Sequence, residues 1–274
     1  LIIPILEKIT EEYKNYPIKT KVNRNEKVIV DDLFIDIFRK SKIIYEETNG
    51  YFDPSIGLLL DYAGFGPKKN QNIVSEDSLA IILKSVGFDK IDIVDGQVRK
   101  LNNKSKLDFN AIAKGYAVDV ISEFLNSKSI DNYMVDIGGE IRTSGKNHLR
   151  DMFWSIAIEN PIPNKSDDKF YKKITLQNAA IATSGNYRNF SIDSVTGKKY
   201  VHIINPINGQ FEQTNIFSVS VLSKSCFVSD AFATAMMAGS LDYAKKLTKE
   251  NDEIESMIIY LDDNDELKSF ISEG

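Results

Sequence analysis

Apolar residues recur every three or four positions in two early stretches. Ile5, Ile9 and Tyr13 stand four apart over 2–14, and Leu33, Phe34, Ile37, Phe38, Ile44 and Tyr45 make one stripe. That period predicts amphipathic helices. Asp31 or Asp32 is placed to cap the second helix and Gly50 to close it. A third helix is predicted over 75–87, while 15–26 reads as a polar loop and 28–30 as a short strand. Further on the period shortens towards two. Residues 91–94 and 97–101 flank Asp95-Gly96, a strong hairpin signal. Residues 133–137 read as a buried strand that ends at Gly138-Gly139, with 141–145 returning beside it. Residues 154–158, 171–176, 189–193, 200–204 and 217–222 also read as strands, with 183–187 a polar break and Thr196-Gly197 a turn. Small residues from Asp230 to Gly239 predict a helix, and Ser240 caps another that runs to about Asn251. A last hairpin, 256–261 with 267–271, closes around Asp262-Asp263-Asn264-Asp265.

Several hairpins are adjacent in sequence, and strands and helices do not alternate as βαβ units. The expected class is therefore α+β, with mixed, largely antiparallel sheets and flanking helices. No internal repeat, linker or low-complexity tract divides the 274 residues, so one domain over 1–274 is expected. The net charge of −5 gives no support to a nucleic-acid groove. No run reaches the roughly 18 apolar residues needed to span a bilayer. One cysteine, Cys226, excludes an internal disulfide, and two histidines, His148 and His202, make a zinc site a poor fit. A metal bound here would be hard and held by oxygen.

Four segments are rich in small and polar residues. The first, 107–119, enters extended and leaves as a helix, with Asp108 at the break. The free N–H groups and dipole of a helix start suit a phosphate; the competing reading of Asp108 is a plain helix cap. The second is Asp136-Ile137-Gly138-Gly139-Glu140-Ile141-Arg142, where paired glycines allow either close approach of a ligand or a tight turn. The third joins 182–187 to His202-Ile203-Ile204-Asn205-Pro206. A lone histidine in an apolar strand is commonly structural, but this one leads into a turn. The fourth is Ser229-Asp230-Ala231-Phe232-Ala233-Thr234-Ala235, where Asp230 and Thr234 share one helix face. They either hold one hard cation together or act separately, Asp230 as a cap and Thr234 bonded back to its own helix. Spacing alone favours the cap.

Taken in order, these motifs resemble the ApbE family. Asp108-x-x-x-Ile112-Ala113-Lys114-Gly115-Tyr116-Ala117-x-Asp119, Asp136-Ile137-Gly138-Gly139, Ala182-Thr183-Ser184-Gly185-x-Tyr187-Arg188, His202-Ile203-Ile204-x-Pro206-x-x-Gly209 and Ser229-Asp230-Ala231-x-Ala233-Thr234-Ala235 carry the resemblance. Gly50-x-Phe52-Asp53-Pro54-x-x-Gly57 and Gly64-Phe65-Gly66-Pro67 precede them in the family's order. The resemblance runs from about residue 30 to the C-terminus and implies an ApbE-like, T-fold-like catalytic domain.

The resemblance implies an enzyme, an FAD:protein FMN transferase. With Mg²⁺ bound, a Thr or Ser hydroxyl of an acceptor flavoprotein attacks FAD, FMN stays on the acceptor and AMP leaves. It implies Mg²⁺ ligands at the Ala111 carbonyl, Asp230 and Thr234, and FAD contacts at Tyr51, Phe52, Asp53, Asp108, Lys114 and Ile204. The cation would explain an aspartate beside a phosphate. His202 is the candidate for taking the hydroxyl proton. Departures from the family pattern stand at Asn110, Ala111, Asn205 and Tyr62-Ala63-Gly64, and the N-terminal strand with its Met-Gly-Thr-like segment is expected to be lacking before Leu1-Ile2-Ile3-Pro4. Resemblance further implies export and a lipid anchor at the membrane, with the signal segment outside this chain. Two alternatives stay open: FAD hydrolysis to FMN and AMP on the same site, and FAD binding without catalysis.

Overall fold

The structure, a computed structural model, describes residues 17–66, 76–162, 169–186, 190–192, 197 and 199–272. The helix expected over 2–14, Ser75, Pro67, Tyr187-Arg188 and Thr196 lie outside the described residues. The chain divides into two compact units, Leu1–Ala113 with Ile204–Gln210, and Lys114–Ile203 with Phe211–Gly274.

The first unit is mainly helical. Helix α1 (Pro17–Asn23) forms where a loop is expected. Val22 is buried, and the Asn23 amide exchanges two hydrogen bonds with the Leu107 backbone. Residues 28–30 form no strand; Val30 N–H makes one backbone bond, to Gly96. Helix α2 (Asp32–Glu47) is capped by Asp31, whose carboxylate accepts the Phe34 N–H at 2.9 Å, and its chain reverses through Asn49 and Gly50, both at positive φ. Short helices α3 (Gly57–Tyr62) and α4 (Glu76–Leu83) follow, then the hairpin β1 (Ile91–Val94) and β2 (Gln97–Lys100) around Asp95-Gly96. The core is aromatic: Phe34 meets Phe109 edge-on at 5.8 Å between centroids, and Phe38 lies 4.6 Å from Phe88. Such pairs add specific geometry to their burial.

Helix α5 (Asn110–Ser127) starts in the first unit and continues into the second. The second unit is built on a six-stranded antiparallel sheet in the order β12, β11, β10, β7, β4, β3. Its strands are β3 (Tyr133–Ile137), β4 (Glu140–Ser144), β7 (Ala180–Gly185), β10 (Ile216–Ser223), β11 (Glu255–Leu261) and β12 (Leu267–Ile271). A separate hairpin, β5 (Trp154–Glu159) with β6 (Phe170–Leu176), packs on one face through Ile158 and Leu176 against Ile141, Ile181, Met257 and Ile259. On the other face Ala180 packs with Val118 of α5 and Cys226 of helix α6 (Cys226–Ala238). A second pair, β8 (Phe190–Ile192) with β9 (Lys199–Val201), and helix α7 (Leu241–Glu250), capped by Ser240, complete the unit. The α+β, largely antiparallel class is the one observed.

Two strand expectations change. Residues 133–137 form an edge strand with alternating burial instead of a buried one. The stretch expected as a polar break begins inside β7, a central strand. Ala180, Ile181 and Ala182 are 0–2 % exposed because both faces of that strand are covered. Small residues let α6 lie close, and they hide the alternation that marks a one-sided strand.

Candidate active site

In the first unit the 51–56 loop lies beside the strand-like approach to α5. Asp108 N–H donates to the Pro54 carbonyl at 2.7 Å, and Ile56 bridges Lys106. Asp108 accepts the N–H of Asn110, the first residue of α5, at 2.9 Å. Lys19 stands 3.9 Å from the same carboxylate. Tyr51 is half-buried; Phe52 and Asp53 are buried, and the Phe52 N–H donates to Thr48 Oγ1. Asp53 accepts the Ser55 N–H at 2.6 Å, and Ser55 Oγ accepts the Gly87 N–H. Burial pushes the Asp53 carboxyl up to about 6, although bonds from Ser55 and the Phe88 backbone pull it down. Ile204 is buried in the short segment that this unit takes from later in the chain.

In the second unit two acids and one base converge. Lys114 Nζ pairs with Glu140 Oε1 at 2.5 Å. Glu140 is 2 % exposed, and its Oε2 has no hydrogen-bond partner among the described residues. Asp230, also buried, accepts the Gly115 N–H at 3.1 Å. Burial and then the Glu140 charge push Asp230 up to about 8, against the pull of Lys114 and the Gly115 N–H. Burial likewise raises Glu140, opposed by Lys114. Two buried carboxylates stand near one half-exposed ammonium, so burial and their mutual repulsion hold Asp230 protonated up to about pH 8, and a bound cation would favour its ionised form.

Gly115 makes this approach possible. A Cβ there would stand 2.5 Å from the Cys226 carbonyl oxygen and 2.9 Å from Asp230 Cβ. The expected cap role of Asp230 does not hold: Ser225 caps α6 by accepting the Val228 N–H, and Asp230 is the fifth residue of the helix. Thr234, one turn on, stands 3.4 Å from Ser184 Oγ on β7. Gly138 and Gly139 both take positive φ, and Asp136 accepts the Gly139 N–H, so this pair serves the β3–β4 turn. That turn delivers Glu140 to Lys114. His202 follows β9 and is half-buried. Ala111 lies on the first turn of α5 and is half-buried. Cys226 is fully buried, and burial with the nearby acids raises its thiol, which leaves it a small core residue.

Comparison with known proteins decides the family. The ApbE family model matches residues 3–258. The FAD:protein FMN transferase of Vibrio cholerae is 32% identical over 268 residues, covering 94% of this chain and 78% of its own. That of Haemophilus influenzae is 30% identical, covering 94% and 74%. The chain belongs to the ApbE family. Solved ApbE structures share its fold. The flavin transferase ApbE from Vibrio cholerae superposes with a TM-score of 0.85 at 29% identity, covering 99% of this chain and 87% of the other. The ApbE protein from Thermotoga maritima gives 0.81 at 27%, covering 97% and 88%.

Glu140, Asp119 and Arg142 lie inside the family's motif segments, but their roles come from the fold rather than from local pattern. Glu140 had one legible signal, an acid directly after a glycine pair. Arg142 donates to Asp119 at 2.7 Å, a pairing across 23 positions that no local pattern announces.

Proposed function

We propose that this chain transfers FMN from FAD to a Thr or Ser hydroxyl of an acceptor flavoprotein and releases AMP, with Mg²⁺ as cofactor. The relatives named above are FAD:protein FMN transferases, and this chain carries the family's motifs in order. One observation supports the reading most. The Gly115 N–H, the donor that an α-helix assigns to the carbonyl of residue 111, is engaged by the Asp230 carboxylate at 3.1 Å. Asp230 thereby stands against α5 one helical turn on from Ala111, the residue that the resemblance makes a ligand.

The donor set fits a hard cation. Asp230 offers a carboxylate, Thr234 a hydroxyl and Ala111 a carbonyl, all oxygen. Among the described residues no group of three or more His, Cys, Asp or Glu forms a ready cage. Mg²⁺ uses one or two carboxylates and takes its remaining ligands from phosphate and water. When bound, the ion supplies neutralisation of the pyrophosphate and a better leaving group. Lys114, held by Glu140, contributes a second positive charge at the phosphates. His202 accepts the proton of the acceptor hydroxyl as its oxygen bonds to the FMN-side phosphorus. The bond to the AMP phosphate breaks, and AMP carries away the electron pair. Tyr51, Phe52, Asp53, Asp108 and Ile204 form the flavin side of the proposal, with Phe52 and Ile204 giving backbone and packing because their side chains are buried.

The test is incubation with FAD, Mg²⁺ and a peptide bearing a flavinylation site, read by mass spectrometry. FMN mass on the peptide, lost when Mg²⁺ is chelated, supports the proposal. Free FMN and AMP with an unmodified peptide would show hydrolysis instead, and intact FAD would leave a binding protein.

A further inference from the structure

We propose that Asp119 is the positioning residue of this site: it fixes the start of helix α6, and through it the placement of Asp230 and Thr234. The inference rests on the reading of Asp230 and Thr234 as metal ligands. Asp119 lies on α5 and is 7% exposed. Its Oδ1 accepts the Cys226 N–H at 3.0 Å and Arg142 Nη1 at 2.7 Å. Its Oδ2 accepts the Phe227 N–H at 2.9 Å and Ser225 Oγ at 2.6 Å. Cys226 and Phe227 open α6, and the first N–H groups of a helix have no partner within it. A cap residue ordinarily comes from the helix it caps, and here Ser225 already fills that place. Asp119 is 107 positions from Cys226, so its bonds do what a local cap cannot: they tie one helix to another.

The spacing carries the argument to the site. Gly115 and Asp119 are one turn apart on α5, and Cys226 and Asp230 are one turn apart on α6. Asp119 binds the Cys226 end, and Gly115 binds Asp230, so the two pairings are successive rungs between the same helices. The lower rung has no slack, because Gly115 already meets α6 backbone. A shift at the upper rung therefore moves Asp230 off the Gly115 N–H and Thr234 with it. Arg142 from β4 holds the carboxylate in place and balances its charge.

The experiment is a titration with Mn²⁺ in the absence of FAD, followed by electron paramagnetic resonance. It compares the parent chain with Asp119→Asn, Arg142→Gln, Asp230→Ala and Ser240→Ala. Asparagine keeps the shape but turns an N–H donor towards α6. It is expected to weaken Mn²⁺ binding by about 10-fold or more, the usual effect of removing a group that orients a metal ligand. Ser240→Ala removes a helix cap elsewhere and serves as the control for lost stability alone; its Mn²⁺ affinity is expected to match the parent. If Asp119→Asn fails to fold, Arg142→Gln decides, with a smaller loss expected. Parent-like Mn²⁺ binding in Asp119→Asn, or in Arg142→Gln where that variant decides, overturns the positioning role. If Asp230→Ala also binds Mn²⁺ as the parent does, it is the metal reading that fails.

Discussion

The two units treat their buried acids differently. In the first, Asp53 takes one bond from Ser55, two residues away, and another from the Phe88 backbone, which belongs to a later turn of the same unit. In the second, each buried acid among the described residues depends on partners from other elements. Asp230 takes an N–H from 115 positions away, Asp119 takes bonds from 107 and 108 positions away, and Glu140 takes its ammonium from Lys114 on another element. Acids satisfied across the fold exist only when sheet, α5 and α6 are all in place, and that makes the second unit a place where folding and chemistry are coupled. The charge balance differs as well. Asp119 has Arg142, whereas Asp230 and Glu140 have one lysine between them.

The largest expected effect lies in that imbalance. Asp230→Asn should lower FMN transfer by about 100-fold or more, since a ligand of the proposed cation is lost. The same change should stabilise the metal-free protein. The Asp230 carboxyl is pushed from 3.8 up to about 8, so folding is opposed by this group progressively as pH rises between those values. At pH 8 asparagine removes that opposition and should raise Tm by several degrees, a gain on the order of a few kcal/mol; near pH 4 the gain should vanish. Calorimetric scans at both pH values, without metal, check it. A Tm that falls at pH 8 would mean that the Gly115 bond outweighs the cost of burying the carboxylate.

How much of this was legible follows from the same contrast. Local rules located the cap at Asp31, the Asp95-Gly96 hairpin, the cap at Ser240 and the last hairpin, because each is fixed by residues within a few positions. Helix α1 escaped, since its stability comes from Val22 burial and from the Asn23 bonds to Leu107. Strand β7 escaped because a strand covered on both faces by a helix and a hairpin needs no alternation. At the site, Asp230 and Thr234 were recognisable as one face, but the cap role favoured by spacing went to Ser225. Glu140 and Asp119 were unreadable as partners, because their meaning lies in pairings that only the folded sheet creates.

A smaller effect should separate the first unit from the second by its pH window. Burial raises Asp53 from 3.8 to about 6. Below pH 4 the group is protonated in both folded and unfolded chains and costs nothing. Between pH 4 and 6 the unfolded chain ionises first, so stability falls as pH rises, by on the order of 3 kcal/mol at most. Asp53→Asn should make the fall in stability over pH 4–6 shallower and leave, across pH 4–8, the slope that belongs to Asp230. Urea midpoints at four pH values measure this. Loss of the Asp230 slope in the Asp53 variant would show that the two acids are coupled rather than independent.

The smallest effect tests whether the contrast is confined to acids. Asp31 caps α2 in the first unit and Ser240 caps α7 in the second, each by accepting the N–H three residues on, at 2.9 and 3.1 Å. These bonds are local and alike, so the difference between the units should not touch them. Alanine at either position should cost about 1 kcal/mol, which at this chain size lowers Tm by about 2–4 °C. Neither change should alter FMN transfer, because neither residue belongs to the site. Equal losses would place the asymmetry of the molecule in its buried charges alone. A markedly larger loss at Ser240 would mean that local features of the second unit also depend on its long-range assembly. The division between locally and globally satisfied groups would then run between whole units rather than between residues.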